Sequence, residues 1–104
     1  MIEHQNFVSI IGVIKSIPNY HLNTDGTRFR TLEVVTEIPT TNKAGEMRIN
    51  RAIHNIHLWN SICDACSNLK IGDTVSVIGK LKNNDGGEHN VLNVIVANSC
   101  YKIK

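Results

Sequence analysis

A small all-β barrel is the fold this sequence predicts, on three observations. Stretches rich in Val, Ile and Thr recur along the chain, parted by short turns bearing Gly, Pro, Asn or Asp, the mark of successive strands. One stretch, residues 61–69, has helical periodicity, and it falls between the third and fourth strands. At 104 residues the chain is long enough for one core and too short for two, so residues 1–104 read as one domain.

Residues 7–17 (FVSIIGVIKSI) are β-branched and apolar, with Gly12 inside; glycine within a strand marks the bend or bulge that a barrel corner needs. Pro18 ends this strand, and Asn23, Thr24, Asp25 and Gly26 form a turn cluster. Residues 28–38 (RFRTLEVVTEI) alternate as a second strand. Residues 39–47 (PTTNKAGEM) are polar, contain Gly45 and read as a hairpin loop, and residues 48–59 form the third strand. In the helical stretch Ile62, Ala65, Cys66 and Leu69 share one stripe at i, i+3, i+4 and i+7. Lys70-Ile71-Gly72-Asp73 turns the chain into a fourth strand at residues 74–82. Residues 83–87 (NNDGG) make a hairpin turn, and residues 90–97 the fifth strand.

Five strands with a helix between the third and fourth is the order of an OB-fold, a Greek-key barrel with one face open to oligonucleotides or oligosaccharides. A β-sandwich would use similarly spaced strands; the single helix favours the barrel. The formal charge of +2 is mild, so an anionic partner must be held by locally grouped basic residues. The N-terminus lacks the basic and apolar regions of a signal peptide, and no apolar run reaches the ~18 residues of a membrane span. Three Cys without a secretory signal suit a reducing compartment. The expected location is cytoplasmic and nucleoid-associated. No nucleophile–base–acid set and no phosphate-binding Gly loop is present, so the expectation is a binding protein without cofactors, not an enzyme.

Residues 53–82 (IHNIHLWNSICDACSNLKIGDTVSVIGKLK) are the most informative. Side chains alternate along a strand, so Ile53, Asn55, His57 and Trp59 share one face, and His54, Ile56 and Leu58 the other. Ile56 and Leu58 suit a core, which leaves the only Trp on the open face. An outward Trp beside His and Asn suggests a flat ligand, and base–aromatic stacking, about 1–3 kcal/mol per base, tolerates any sequence. The alternative is that Trp59 plugs one end of the barrel. Phe29, on a face with Thr31 and Glu33, is a second stacking candidate, unless it packs on a loop or a partner subunit. Tyr20 and Tyr101 are weaker ones.

For phosphates, Arg28, Arg30, Arg48 and Arg51 offer planar forks that also stack on bases. Lys15, Lys80 and Lys82 lie on strands or strand ends, and Lys43 in a loop able to fold over the face. Each has the alternative of a solvated charged surface. Cys63 and Cys66 form a CxxC, but a structural zinc takes four ligands and there is no second pair. A redox CxxC belongs beside a βαβ unit. Two thiols at i, i+3 on a short helix are expected simply to pack, and no metal site is expected.

Taken in order, these residues resemble the bacterial single-stranded DNA-binding proteins. Asn6-Phe7-Val8 and Gly12 look like that family's first strand, and Gly45-Glu46 like its long hairpin. His54, Leu58-Trp59, the helix and then LKIGDTVSVIGKLK look like the stretch that follows. The resemblance spans nearly the whole chain. It implies an OB-fold whose open face binds single-stranded DNA independently of sequence, in replication, recombination and repair. It further implies a dimer of dimers, with His54 near a subunit contact. The chain departs from the family at Ile53, where many members have Trp, and in the short turn at residues 83–87, which lacks an aromatic. It ends in a basic segment (Cys100-Tyr101-Lys102-Ile103-Lys104) where most members carry a flexible tail with an acidic tip that recruits replication and repair enzymes. The expectation is therefore a tail-less form, as in a mobile-element or phage version or the similar primosomal replication protein N. Binding of RNA or of a protein on the same face is one other reading, and a small enzyme using the His and Cys residues, which would need a deep pocket with convergent polar groups, is another. The first strand also has apolar residues of both parities, more than one core can bury, which predicts a C2 dimer through that strand.

Overall fold

The computed structural model describes residues 4–18, 20–83 and 93–103. Its elements are β1 (Val8–Ser16), β2 (His21–Leu22), β3 (Arg28–Thr41), β4 (Met47–Trp59), α1 (Asn60–Ala65), β5 (Thr74–Asn83) and β6 (Asn93–Lys102). The long strands close into a ring: β1 pairs with β5, β5 with β6, β6 with β4, β4 with β3, and β3 again with β1. The β4–β6 pairing is parallel and runs only through Asn55↔Val94, Ile56↔Ile95 and His57↔Val96; the others are antiparallel. This is the expected OB-fold, five long strands with one short helix before the fourth. The two-residue β2 is an addition on the edge of β3.

Alternation builds the wall. Leu32 and Val34 on β3 and Ile56 and Leu58 on β4 point inward and are fully buried with Ile14, Val75 and Val77. The helix α1 seals one end through Cys63, and Cys66 and Leu69 complete the seal from the turn beyond it. The expected helical stripe is altered: α1 stops at Ala65, which is exposed, and Cys63 takes its place in the core. The segment leaves helical phase at Cys66, the C-cap, and a turn rather than a further helical turn returns Leu69 to the core. The thiols are packing groups. Cys66 donates to the Cys100 carbonyl at 3.3 Å, and hydrogen bonding with Cys66 together with burial holds the Cys100 thiol far above its ordinary range.

Four strands, β3, β4, β5 and β6, run past the ends that the sequence suggests. Beyond Thr36 and before His54, β3 and β4 continue as an exposed two-stranded arm. The expected loop at residues 39–47 shrinks to a turn, in which the Asn42 Oδ1 accepts the N–H groups of Ala44 and Glu46 at 3.0 and 2.9 Å. Pro39 is tolerated within β3 because it lies in this two-stranded arm, opposite Ile49. β6 runs on to Lys102 because β5 offers it partners as far as Val75. The expected turn at residues 83–87 and the start of the fifth strand lie mostly outside the described residues. Glycine is required where strands press together. A Cβ on Gly12 would meet the Val35 carbonyl oxygen, and one on Gly79 the Val96 carbonyl oxygen. Among the described residues no helix is long and apolar enough to cross a membrane.

Candidate nucleic-acid interface

The β3–β4 ladder sets out one outward face rung by rung: Phe29↔Trp59, Thr31↔His57, Glu33↔Asn55, Val35↔Ile53 and Glu37↔Arg51. At its upper end the rings gather. Phe29 and Trp59 lie 4.3 Å apart between centroids, tilted by 37°. His57 meets Phe29 edge-on at 5.0 Å, and His21, carried on β2, stacks on Phe29 at 6.2 Å. Trp59 keeps 39% of its surface exposed. Its placement is local in origin. It is the last residue of β4 and the N-cap of α1, still extended at φ −114°, and the next residue, Asn60, takes a left-handed φ of 49°, a conformation Asn accepts more readily than most residues. The Asn60 Oδ1 accepts the Arg28 backbone N–H at 3.1 Å, which ties this corner to the strand bearing Phe29.

Cations flank the rings unevenly. Across the β4–β6 seam, Asn55 stands beside Val94 and His57 beside Val96, and β5 sets Lys82 and Lys80 opposite those valines. Burial first, then the Lys82 charge, pushes the His57 imidazole below its ordinary value. Lys80 and Lys82 therefore belong to the ring-bearing surface. Arg51 lies further down the same face and is engaged by Glu37 at 3.3 Å. Arg48 is exposed on the arm and Lys43 in its turn. Lys15 is exposed on β1, beside a groove of about 650 Å³ shared with Ile11, Val13, Val35 and Ile53.

The structure does not bring Arg28 and Arg30 to the rings. Both have the opposite parity to Phe29. Arg28 forms an ion pair with Asp64 of α1 at 2.7 Å, which raises its guanidinium above the ordinary value. Arg30 runs beneath the Tyr20 ring, 5.5 Å from its centroid, and its Nε is buried without a partner among the described residues. His54 bonds to the Thr36 hydroxyl at 3.0 Å. The contribution of His21 escapes the sequence reading. The one available signal is hairpin symmetry about residues 23–27, where the Asn23 N–H bonds to the Thr27 carbonyl and sets His21 opposite Phe29.

No family model matches the chain, and no curated protein matches it by sequence. Solved structures do. A deletion mutant of the single-stranded DNA-binding protein from Thermus aquaticus superposes with a TM-score of 0.85 at 19% identity, over 96% of this chain and 51% of that one. This chain thus spans about half the length of the Thermus protein. The Plasmodium falciparum SSB, solved in complex with ssDNA, gives 0.84 at 16% identity over 100% and 99% of the two chains. The dimeric N-terminal domain of PriB from Thermoanaerobacter tencongensis gives 0.66 at 14%, over 95% and 97%. The barrel built here from alternation, a sealing helix and a ring-bearing hairpin is the fold that single-stranded DNA-binding proteins and PriB share.

Proposed function

We propose that this chain binds single-stranded DNA independently of sequence and acts by binding rather than catalysis, in DNA replication, recombination and repair. The observation that carries the proposal is the Phe29–Trp59–His57–His21 cluster on the outer face of the β3–β4 hairpin. Rings in that position offer a platform for bases, and stacking on them needs no particular sequence. Asn55 extends the platform, and Lys80 and Lys82 supply cations on the seam side. Arg48, Arg51, Lys43 and Lys15 continue the basic track down the arm and across β1. Arg28 and Arg30 join it only by leaving Asp64 and Tyr20. The Plasmodium relative, solved with ssDNA, supports the reading by analogy of fold. A PriB-like role in replication restart would use the same surface. The working place of such a protein is the cytoplasm, at the nucleoid.

Salt titration tests the proposal. Each phosphate neutralised on a single strand lowers log affinity by roughly 0.7 per unit of log salt. Labelled oligothymidine titrated at several salt levels should give a slope of several phosphates, with much weaker binding of duplex of the same length. A flat salt response or a preference for duplex would reject it.

A further inference from the structure

One aromatic ring stands apart from the cluster. Among the described residues Phe7 is the most exposed of the Phe, Tyr and Trp side chains, at 71%, yet the backbone on both sides of it is held. On one side Val8 pairs with Gly79 of β5. On the other, the Asn6 side chain takes the place of a strand partner: its Nδ2 donates to the Leu81 carbonyl at 2.8 Å, and its Oδ1 accepts the Leu81 N–H at 2.9 Å. The antiparallel register of β1 and β5 thus runs on past Val8, and Phe7 falls opposite Lys80. Alternation gives Phe7 the outward parity, since Val8 and Ile10 pack against the core.

That register joins Phe7 to the surface already described. Lys80 pairs with Val96, and Val96 with His57, so one rung runs from Phe7 across β5 and β6 to β4. Three strand spacings of about 4.8 Å put about 14 Å of barrel wall between His57 and Phe7. A ring for a base beside a cation for a phosphate is the pairing that single-stranded nucleic acids use, and it asks for no particular base. The apolar groove on β1 is a separate feature: Ile11 and Val13 line it, Phe7 does not, and the exposed Ser9 stands between. Resting on the single-stranded DNA reading, we infer that Phe7 is a second base-stacking station beyond the β4–β6 seam, and that the bound strand wraps the barrel from the Phe29–Trp59 cluster over Lys80 to Phe7.

The test titrates oligothymidines of increasing length, at one salt concentration, against the wild-type chain and Phe7→Ala. Strands too short to reach Phe7 from the cluster should bind both proteins alike. Longer strands should bind Phe7→Ala about fivefold or more weakly, the lower end for one stacked base. Phe7→Trp in a Trp59→Phe background gives a direct reading, because the introduced indole is then the only one. Its emission should be quenched by the longer strands and not by the short ones. A length series that is the same for the wild-type chain and Phe7→Ala overturns this inference alone. So does an equal loss at every length, which marks general damage to the surface, or a loss confined to self-association in sedimentation, which makes Phe7 a subunit contact. Failure of the wild-type chain to bind a strand of any length overturns it together with the reading on which it rests.

Discussion

Trp59 is held from below by Phe29 and along the chain by the strand-to-helix corner, yet its outer surface stays open. Trp59→Ala should therefore weaken single-stranded DNA binding by about 1–3 kcal/mol, the range for one stacked base. It should cost less stability than the ~3–5 kcal/mol of a fully buried aromatic. Labelled-oligonucleotide titration and urea unfolding measure the two effects, and in the wild-type chain quenching of the single Trp by single-stranded DNA reports the stack directly. His57 makes a prediction with two signs. Its folded imidazole titrates below the ordinary value of 6.5 because of burial and then Lys82. The unfolded chain thus binds the proton first as pH falls. The stability that His57 contributes is present above about pH 6.5 and is lost as pH falls through the folded pKa. A bound polyanion favours the imidazolium, so affinity should rise over the same window. Urea unfolding and oligothymidine titration against pH should slope in opposite directions, and His57→Gln should flatten both.

Strand boundaries are legible only where one face is buried. Leu32, Val34, Ile56 and Leu58 alternate with polar or half-exposed neighbours because the barrel demands it, and that alternation also reveals the shared face of Asn55, His57 and Trp59. The arm lacks such a signal. Met47 is apolar yet 74% exposed, since neither face of a two-stranded ribbon is covered, and residues 39–47 read as a loop. The partners of Arg28 and Arg30 are equally hidden, because the first depends on where α1 docks and the second on where the chain between β1 and β2 lays Tyr20. Contacts between strands carry their own prediction. Gly79 stands at the register shift between β5 and β6, with the Val96 carbonyl where a methyl group would go. Gly79→Ala should cost about 1–3 kcal/mol or somewhat more, as overpacking does, read as a lower urea midpoint with an unchanged m-value.

The assembled barrel leaves an apolar groove uncovered. Ile11 is 62% exposed, and with Val13, Val35 and Ile53 it lines the recess over Gly12. Apolar patches rimmed by charge, here Lys15, Glu37 and Arg51, often mark protein–protein contacts. A second copy related by a two-fold axis would bury the surplus parity of β1 already noticeable in its sequence. Sedimentation at micromolar concentration should give a dimer or a dimer of dimers. Val13→Glu should give a monomer with an unchanged far-ultraviolet spectrum. A wild-type monomer would refute this assembly.

The short parallel seam between β4 and β6 has a kinetic consequence. Three residue pairs close the ring there, joining segments nearly forty positions apart in the chain, whereas β3 and β4 zip together through a local hairpin along their whole length. Ladders with distant partners form late and open early, so those amide hydrogens of residues 94–96 that bond toward β4 rather than toward β5 should exchange with solvent faster than those that hold β3 to β4. The proposed ligand lies across this gap, with His57 and Asn55 on one bank and Lys80 and Lys82 beyond the other. A bound strand would act as a suture. Native-state hydrogen exchange with and without oligothymidine should show the gain in protection concentrated at residues 94–96, well beyond the modest change at the hairpin that holds the rings.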